Sequence, residues 1–245
     1  MQEKQNQAKQ LQAKIFQELE NYQYPAKSGL NYNNEFTFIV AVLLSAQAKD
    51  AFINTQTIEF FKLYNTPEKM LEAGINIVEQ YIRKIGLWRN KAKNIIKLSE
   101  IIINFKTIQN PQNWYENFQG EGDDLTLYGP ILSKEGLPGF RSGLLELAGI
   151  GRKSANVFLN VIYNAPVFPV DTHVMRIAQR IKLSSSKTPF QIEKDLIENV
   201  PKKYSTKICH YLVWHGRKIC LARKPKCLEC SLKKYCAFFN KELEF

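Results

Sequence analysis

The chain has 245 residues, 44% of them apolar, enough for one large domain or two smaller ones that each bury a core. Lys and Arg number 34 against 23 Asp and Glu, and a net charge of +11 points to a polyanionic partner without saying which: a ribosome-associated protein, a peripheral membrane protein or a merely basic surface would have the same balance. A spanning helix is excluded, because the longest apolar run, Phe36 to Ala46, falls far short of the ~20 residues required, and Met1 to Gln7 lacks the apolar core of a secretion signal.

Ala8, Leu11, Ile15 and Leu19 recur every three or four residues and predict an amphipathic helix that stops before Pro25. Phe36 to Ala46 is apolar on nearly every side and predicts a helix at the centre of a core. Shorter helices are expected over Asp50 to Tyr64, Pro67 to Ala73 and Ile75 to Ile82, with Pro67 suited to a first turn, and another over Lys91 to Phe105. From Asn110 to Glu135 the periodicity dissolves into a polar run, Gln119 to Asp124, and a Gly129-Pro130 turn signal. This segment is expected to be an exposed loop, dispensable for chemistry. Three more helices follow, over His173 to Ile181, Pro189 to Val200 and Lys202 to Cys220. No stretch alternates with period two for long enough to be a strand, so the predicted fold is all-α.

Between two short apolar segments, Leu144 to Leu147 and Ala155 to Ile162, stand Gly149 and Gly151. Glycines two apart permit a sharp turn and leave peptide N–H groups bare at a helix N-terminus, which makes an anion site. Arg152 and Lys153 beside it favour phosphate as the anion. Asp171 follows Lys153 by eighteen residues, beyond Pro166 and Pro169, so the two are expected to leave different elements and face each other across a cleft. The plain alternatives are a phosphate contact for Lys153 and a helix N-cap for Asp171.

Cys220, Cys227, Cys230 and Cys236 are spaced C-x6-C-x2-C-x5-C, and four thiolates this close suit either tetrahedral zinc or a four-iron, four-sulfur cluster. A single C-x2-C pair flanked by lone cysteines favours the cluster over the paired knuckles of a zinc ribbon. Such cysteines without a secretion signal imply an intracellular, reducing compartment. Arg223, Lys224 and Lys226 lie in the loop that the first two cysteines would clamp, and a fixed basic loop suits a DNA backbone, the alternative being a solvated charge run. Cys209 reads as a buried core thiol.

Leu147-Ala-Gly-Ile-Gly-Arg-Lys153, with Val170-Asp171-Thr172-His173, resembles the hairpin, loop and aspartate of the helix-hairpin-helix DNA glycosylases. Leu43-Leu44-Ser45-Ala46-Gln47, Ile85-Gly86-Leu87 and His215-Gly216-Arg217 with the cysteines are similar to the endonuclease III family, over about Phe36 to Cys236 apart from one insertion at about 110–135. The resemblance implies two helical lobes with the active-site cleft between them. One is a six-helix lobe over 30–163; the other is built from 1–29 and 164–245 and carries the iron–sulfur cluster at 220–236. It also implies a monomer acting on duplex DNA that holds a damaged base or an abasic site, in the cytoplasm and at the nucleoid. The reaction implied is removal of oxidised pyrimidines and cleavage at abasic sites.

In that reaction Lys153 would attack the sugar, and Asp171 would stabilise the cationic sugar or accept a proton. An ordinary lysine, with pKa ~10.4, is protonated at neutral pH. The positive end of a helix with Arg152 adjacent favours the neutral amine. The resemblance also implies that Gln47 fills the space vacated by an extruded base and Leu87 wedges the partner strand, although residue type alone makes them a helix surface residue and a core residue. Ser45, Asp50 and His173 match family positions near the pocket, whereas Lys49 and Ala148 depart from it, a proline being usual at the latter. An adenine-mismatch glycosylase shares the fold, but the resembled one lacks the lysine and has a further C-terminal domain, while this chain ends nine residues after Cys236. A non-catalytic DNA-binding module would use the hairpin and basic loop without Lys153 and Asp171. A ferredoxin-type electron carrier would need little beyond the cluster.

Overall fold

The computed structural model describes residues 2–118 and 122–240, and Gln119, Gly120 and Glu121 of the polar run, like the side chain of Ala8, lie outside them. Among the described residues there are eleven α-helices and no β-strand, only an isolated bridge between Leu132 and Pro138. None of these helices is long and apolar enough to cross a membrane. The chain divides into two compact units, one formed by Gly29–Ala165 and the other by Met1–Ser28 with Pro166–Phe245.

The Gly29–Ala165 unit is built on α2 (Glu35–Leu44), every residue of which after Glu35 is buried. Asn34 starts it with a reciprocal cap, its side chain accepting from the Thr37 N–H while the Thr37 hydroxyl serves the Asn34 backbone. Phe36, Phe38, Ile39, Val40 and Leu44 then have no polar face to satisfy, and each is worth about 1.5–3 kcal/mol of burial. Around α2 come α3 (Asp50–Leu63), α4 (Pro67–Ile82) and α5 (Trp88–Lys106). Helix α4 carries the break expected between Ala73 and Ile75: Gly74 sits at φ 72°, ψ 168°, a conformation closed to most side chains. Helix α5 starts three residues before the expected Lys91, because Leu87 adopts a left-handed cap.

The segment after α5 corrects the expectation of an exposed loop. It contains α6 (Pro111–Glu116) and a 3-10 turn over Gly122–Leu125, before α7 (Arg141–Leu145) and α8 (Arg152–Tyr163). Trp114, Tyr115 and Phe118 all meet the ring of the fully buried Phe140, at centroid separations of 5.4, 4.9 and 5.2 Å. The Glu135 carboxylate accepts from the Phe36 N–H at 2.6 Å, in the first turn of α2. These contacts join residues far apart in sequence, so no local period signals them.

In the second unit the N-terminal helix, α1 (Gln2–Asn21), packs on α11 (Lys202–Lys218) and on the 3-10 turn Ser231–Tyr235. Helices α9 (Thr172–Arg180) and α10 (Pro189–Asn199) complete it. Ile15, Phe16 and Leu19 share one core with Val174, Ile177, Leu196, Ile208, Leu212 and Leu232, so the first helix is covered by the last third of the chain. Cys209 lies in that core, and burial pushes its thiol well above the usual value, as fits an inert packing residue.

Candidate functional site

The turn between α7 and α8 is held at Gly149, where φ is +78° and an added Cβ would meet Asn94 Nδ2 at 2.7 Å and Leu43 Cδ1 at 3.1 Å. Gly151 is different. Its backbone is extended (φ −99°) and a Cβ there would meet nothing, so it leaves space at the start of α8 instead of enabling the turn. Gly151 offers no side chain to cap α8, and the first N–H groups of the helix have no intrahelical acceptor. Lys153 is in that first turn, exposed, and its ammonium makes no hydrogen bond or ion pair among the described residues. Arg152 is half-buried, and its Nη1 donates to Asp124 Oδ1 at 2.9 Å.

Of the three non-glycine residues of this unit in left-handed backbone conformations, Asn164 ends α8, and Gln47 and Leu87 both stand at φ 60°. The latter two are exposed, Leu87 to 61%, so Leu87 is not a core residue. A bulky residue at positive φ costs of order 1–3 kcal/mol and persists only where its surroundings impose it. Lys91 does the imposing. Its buried ammonium donates to the carbonyls of Leu44 (2.9 Å) and Ala46 (2.8 Å), which closes the end of α2 ahead of Gln47, while its own N–H binds the Leu87 carbonyl at 3.0 Å. Burial lowers the Lys91 pKa from the usual lysine value. Leu87, Lys91 and Asn94 are spaced i, i+4, i+7, so one face of α5 gathers the Leu87 tip, the Gln47 turn and the Gly149 corner. A lysine on the otherwise apolar arc of Ile95, Leu98 and Ile102 was the available signal, and sequence reasoning passed over it.

In the other unit Asp171 is the N-cap of α9, its Oδ1 accepting from the N–H groups of His173 and Val174, both at 2.8 Å. Both bonds fall on one oxygen, so the cap and a chemical role are compatible. His173 follows, half-buried. Burial outweighs the attraction of Asp171 and lowers its pKa, with Arg176 and Arg217 pushing the same way. Gly216 permits the packing here, since a Cβ would meet His173 Nδ1 at 2.9 Å and Arg176 Nη2 at 3.0 Å.

Cys220, Cys227, Cys230 and Cys236 line a single cavity closed by Ile177, Ile181 and Leu232. No three His, Cys, Asp or Glu side chains among the described residues are gathered tightly enough for a single metal ion. Zinc would draw four sulfurs to about 2.3 Å from one point. Thiols ringing a shared apolar cavity instead fit a four-iron, four-sulfur cluster, whose ligands attach at separate irons. Arg180 Nη1 donates to Cys220 Sγ at 3.2 Å, and the same guanidinium holds the carbonyls of Leu221 (2.8 Å) and Ala222 (3.2 Å). Arg176 holds the Cys220 carbonyl through Nε and Nη2. These two arginines, one turn apart on α9, were missed in the sequence. They anchor the root of the loop on which Arg223, Lys224 and Lys226 are exposed; among the described residues only Lys226 has an acid within ion-pair distance, Glu229 at 3.9 Å.

Two family models match. Residues 40–202 fit the HhH-GPD superfamily base excision DNA repair protein, and residues 220–236 fit the iron-sulfur binding domain of endonuclease III. The endonuclease III of Rickettsia felis is 39% identical over 231 residues, covering 94% of this chain and 96% of the relative, and that of Escherichia coli K12 is 36% identical, covering 91% and 92%. A solved non-covalent endonuclease III–DNA complex superposes with a TM-score of 0.76 at 31% identity, covering 96% of this chain and 97% of that one. A trapped endonuclease III–DNA covalent intermediate gives 0.73 at 31%, covering 100% and 99%. By its matched residues and its cysteine segment, the chain belongs to the endonuclease III family of helix-hairpin-helix base excision DNA repair proteins, and it carries their iron–sulfur cluster.

Proposed function

We infer that this DNA glycosylase and abasic-site lyase acts as a monomer, in the reducing interior of the cell, on duplex DNA holding one oxidised pyrimidine or abasic site. Lys153 is the nucleophile. Its Nζ forms a bond to C1′ of the deoxyribose, and the glycosidic bond breaks, its electron pair and a proton leaving with the base. Opening of the sugar ring yields an imine between Lys153 and C1′. Loss of a proton from C2′ then breaks the C3′–O bond and releases the 3′ phosphate. Asp171 supplies negative charge to the first step, either to the oxocarbenium-like sugar or as acceptor of the amine's proton.

The observation that carries this reading is Lys153 itself: an exposed amine, unpaired among the described residues, in the first turn of α8 beside a corner fixed by Gly149. Phosphate at that N-terminus would hold the DNA backbone next to the amine. Gln47 and Leu87, rigid tips on the same unit, are assigned to the space left by the extruded base and to the partner strand. Cys220, Cys227, Cys230 and Cys236 hold the cluster, which serves to fix the loop of Arg223, Lys224 and Lys226 for backbone contact. The test is incubation of the purified protein with duplexes holding a single thymine glycol or abasic site. Strand cleavage at that position is expected, and tight binding without cleavage would reduce the protein to a DNA-binding module.

A further inference from the structure

The segment between α5 and α7 is built onto the hairpin at several points. Arg141, the first residue of α7, has a fully buried side chain, and a buried guanidinium requires charge and hydrogen-bond partners. It donates through Nη1 to Asp124 Oδ1 at 2.6 Å and through Nε to Asn156 Oδ1, on α8, at 2.7 Å. The same Asp124 oxygen accepts from Nη1 of Arg152, the first residue of α8, at 2.9 Å. One carboxylate oxygen therefore joins the starts of both hairpin helices, with the Gly149–Gly151 corner between them. Asp124 is itself held: its carbonyl accepts from the Ser142 hydroxyl at 2.7 Å, and the next carbonyl, Leu125, accepts from the Tyr115 hydroxyl.

We propose that Asp124 is a positioning residue for the reaction, acting through Arg152 to fix the first turn of α8 and thereby the amine of Lys153. The inference rests on Lys153 as nucleophile. A flexible loop would have no such reach; the aromatic packing of Trp114, Tyr115 and Phe118 on Phe140 gives Asp124 a rigid base. Displacing a reacting group by about 1 Å can cost on the order of a hundredfold in rate. Loosening of one turn should therefore appear in the chemical step more than in affinity.

The test is single-turnover borohydride trapping on abasic duplex at saturating protein, with duplex affinity measured separately by anisotropy. Asp124→Ala is expected to slow trapping at least about tenfold while changing affinity little. Arg152→Ala should slow it similarly, and the double variant should be no slower than either single one, because the two act in series. A purely structural role through Arg141 would instead make the two effects multiply. Asp124→Glu should recover part of the rate. If Asp124→Ala does not fold, Asp124→Ala with Arg141→Met removes the buried guanidinium together with the carboxylate, and its rate is compared with Arg141→Met alone. Trapping at the unmodified rate in a folded Asp124→Ala variant, or multiplying effects, would overturn the inference while leaving Lys153 as nucleophile. Absence of any adduct in the unmodified protein would instead sink the reading on which it rests.

Discussion

The hairpin corner and the four-cysteine segment are both short, irregular stretches that present cations, and they are held by opposite means. The corner is held by the protein's own groups: the left-handed Gly149 packed on Asn94 and Leu43, and Arg141 and Arg152 tied to Asp124. The cysteine segment has only two 3-10 turns, Cys227–Glu229 and Ser231–Tyr235, around a cavity of sulfurs. Burial raises the Cys230 and Cys236 thiols above their usual value, and ligation to a cluster would deprotonate them. A site built by packing exists before its ligand arrives; a site built by ligation does not.

The largest effect that separates the two should come from the cluster. Cys227→Ser is expected to take iron content from about four per chain to near zero and to unfold residues 219–236, with loss of the brown absorbance. Amide exchange at the Gly149–Lys153 corner should stay unchanged. Loosening of both regions together would show that the corner too depends on the cluster.

The converse disruption is Lys91→Met. It leaves the Leu44 and Ala46 carbonyls without their buried donor, at a cost of about 1–3 kcal/mol in thermal or denaturant unfolding, and weakens discrimination between abasic and undamaged duplex by freeing the Gln47 turn. The cluster absorbance should not move. Unchanged stability and discrimination would remove Lys91 from the account.

How legible these regions were follows from where their contacts lie in sequence. The cysteine spacing could be read because the four ligands are close in the chain, and the hairpin because its glycines and cations are adjacent. Helix α2 announced itself by being apolar all round, and the break in α4 by Gly74. The supports of both regions could not be read. Asp124 sits in a polar run with no period and meets partners 17 and 28 residues away, and Glu135 meets Phe36 across 99. The exposure of Leu87 was hidden for another reason: leucine rarely takes positive φ, so residue type argued for the core.

A smaller effect tests the basic loop. Arg223→Ala and Lys224→Ala should each reduce the slope of log binding constant against log salt by about 0.9 and weaken affinity at physiological salt, without slowing adduct formation at saturating protein. An unchanged salt slope would make these residues solvated surface cations.

The smallest expected effect is on pH dependence. Burial lowers the His210 pKa, so the unfolded chain takes up its proton first as pH falls below about 6.5. The stability His210 contributes as a neutral side chain is thus present above that pH and declines below it. His210→Gln should flatten the fall in unfolding midpoint between pH 7 and 5; an identical fall would place the titration elsewhere.

The central claim is that Lys153, in the prebuilt corner, forms the covalent bond to DNA. Borohydride added during turnover on abasic duplex should freeze a protein–DNA adduct whose modified residue, identified by peptide mass mapping, is Lys153. Lys153→Gln should bind the duplex with nearly unchanged affinity and give no adduct. An adduct that persists in Lys153→Gln would assign the nucleophile to another amine and contradict the account.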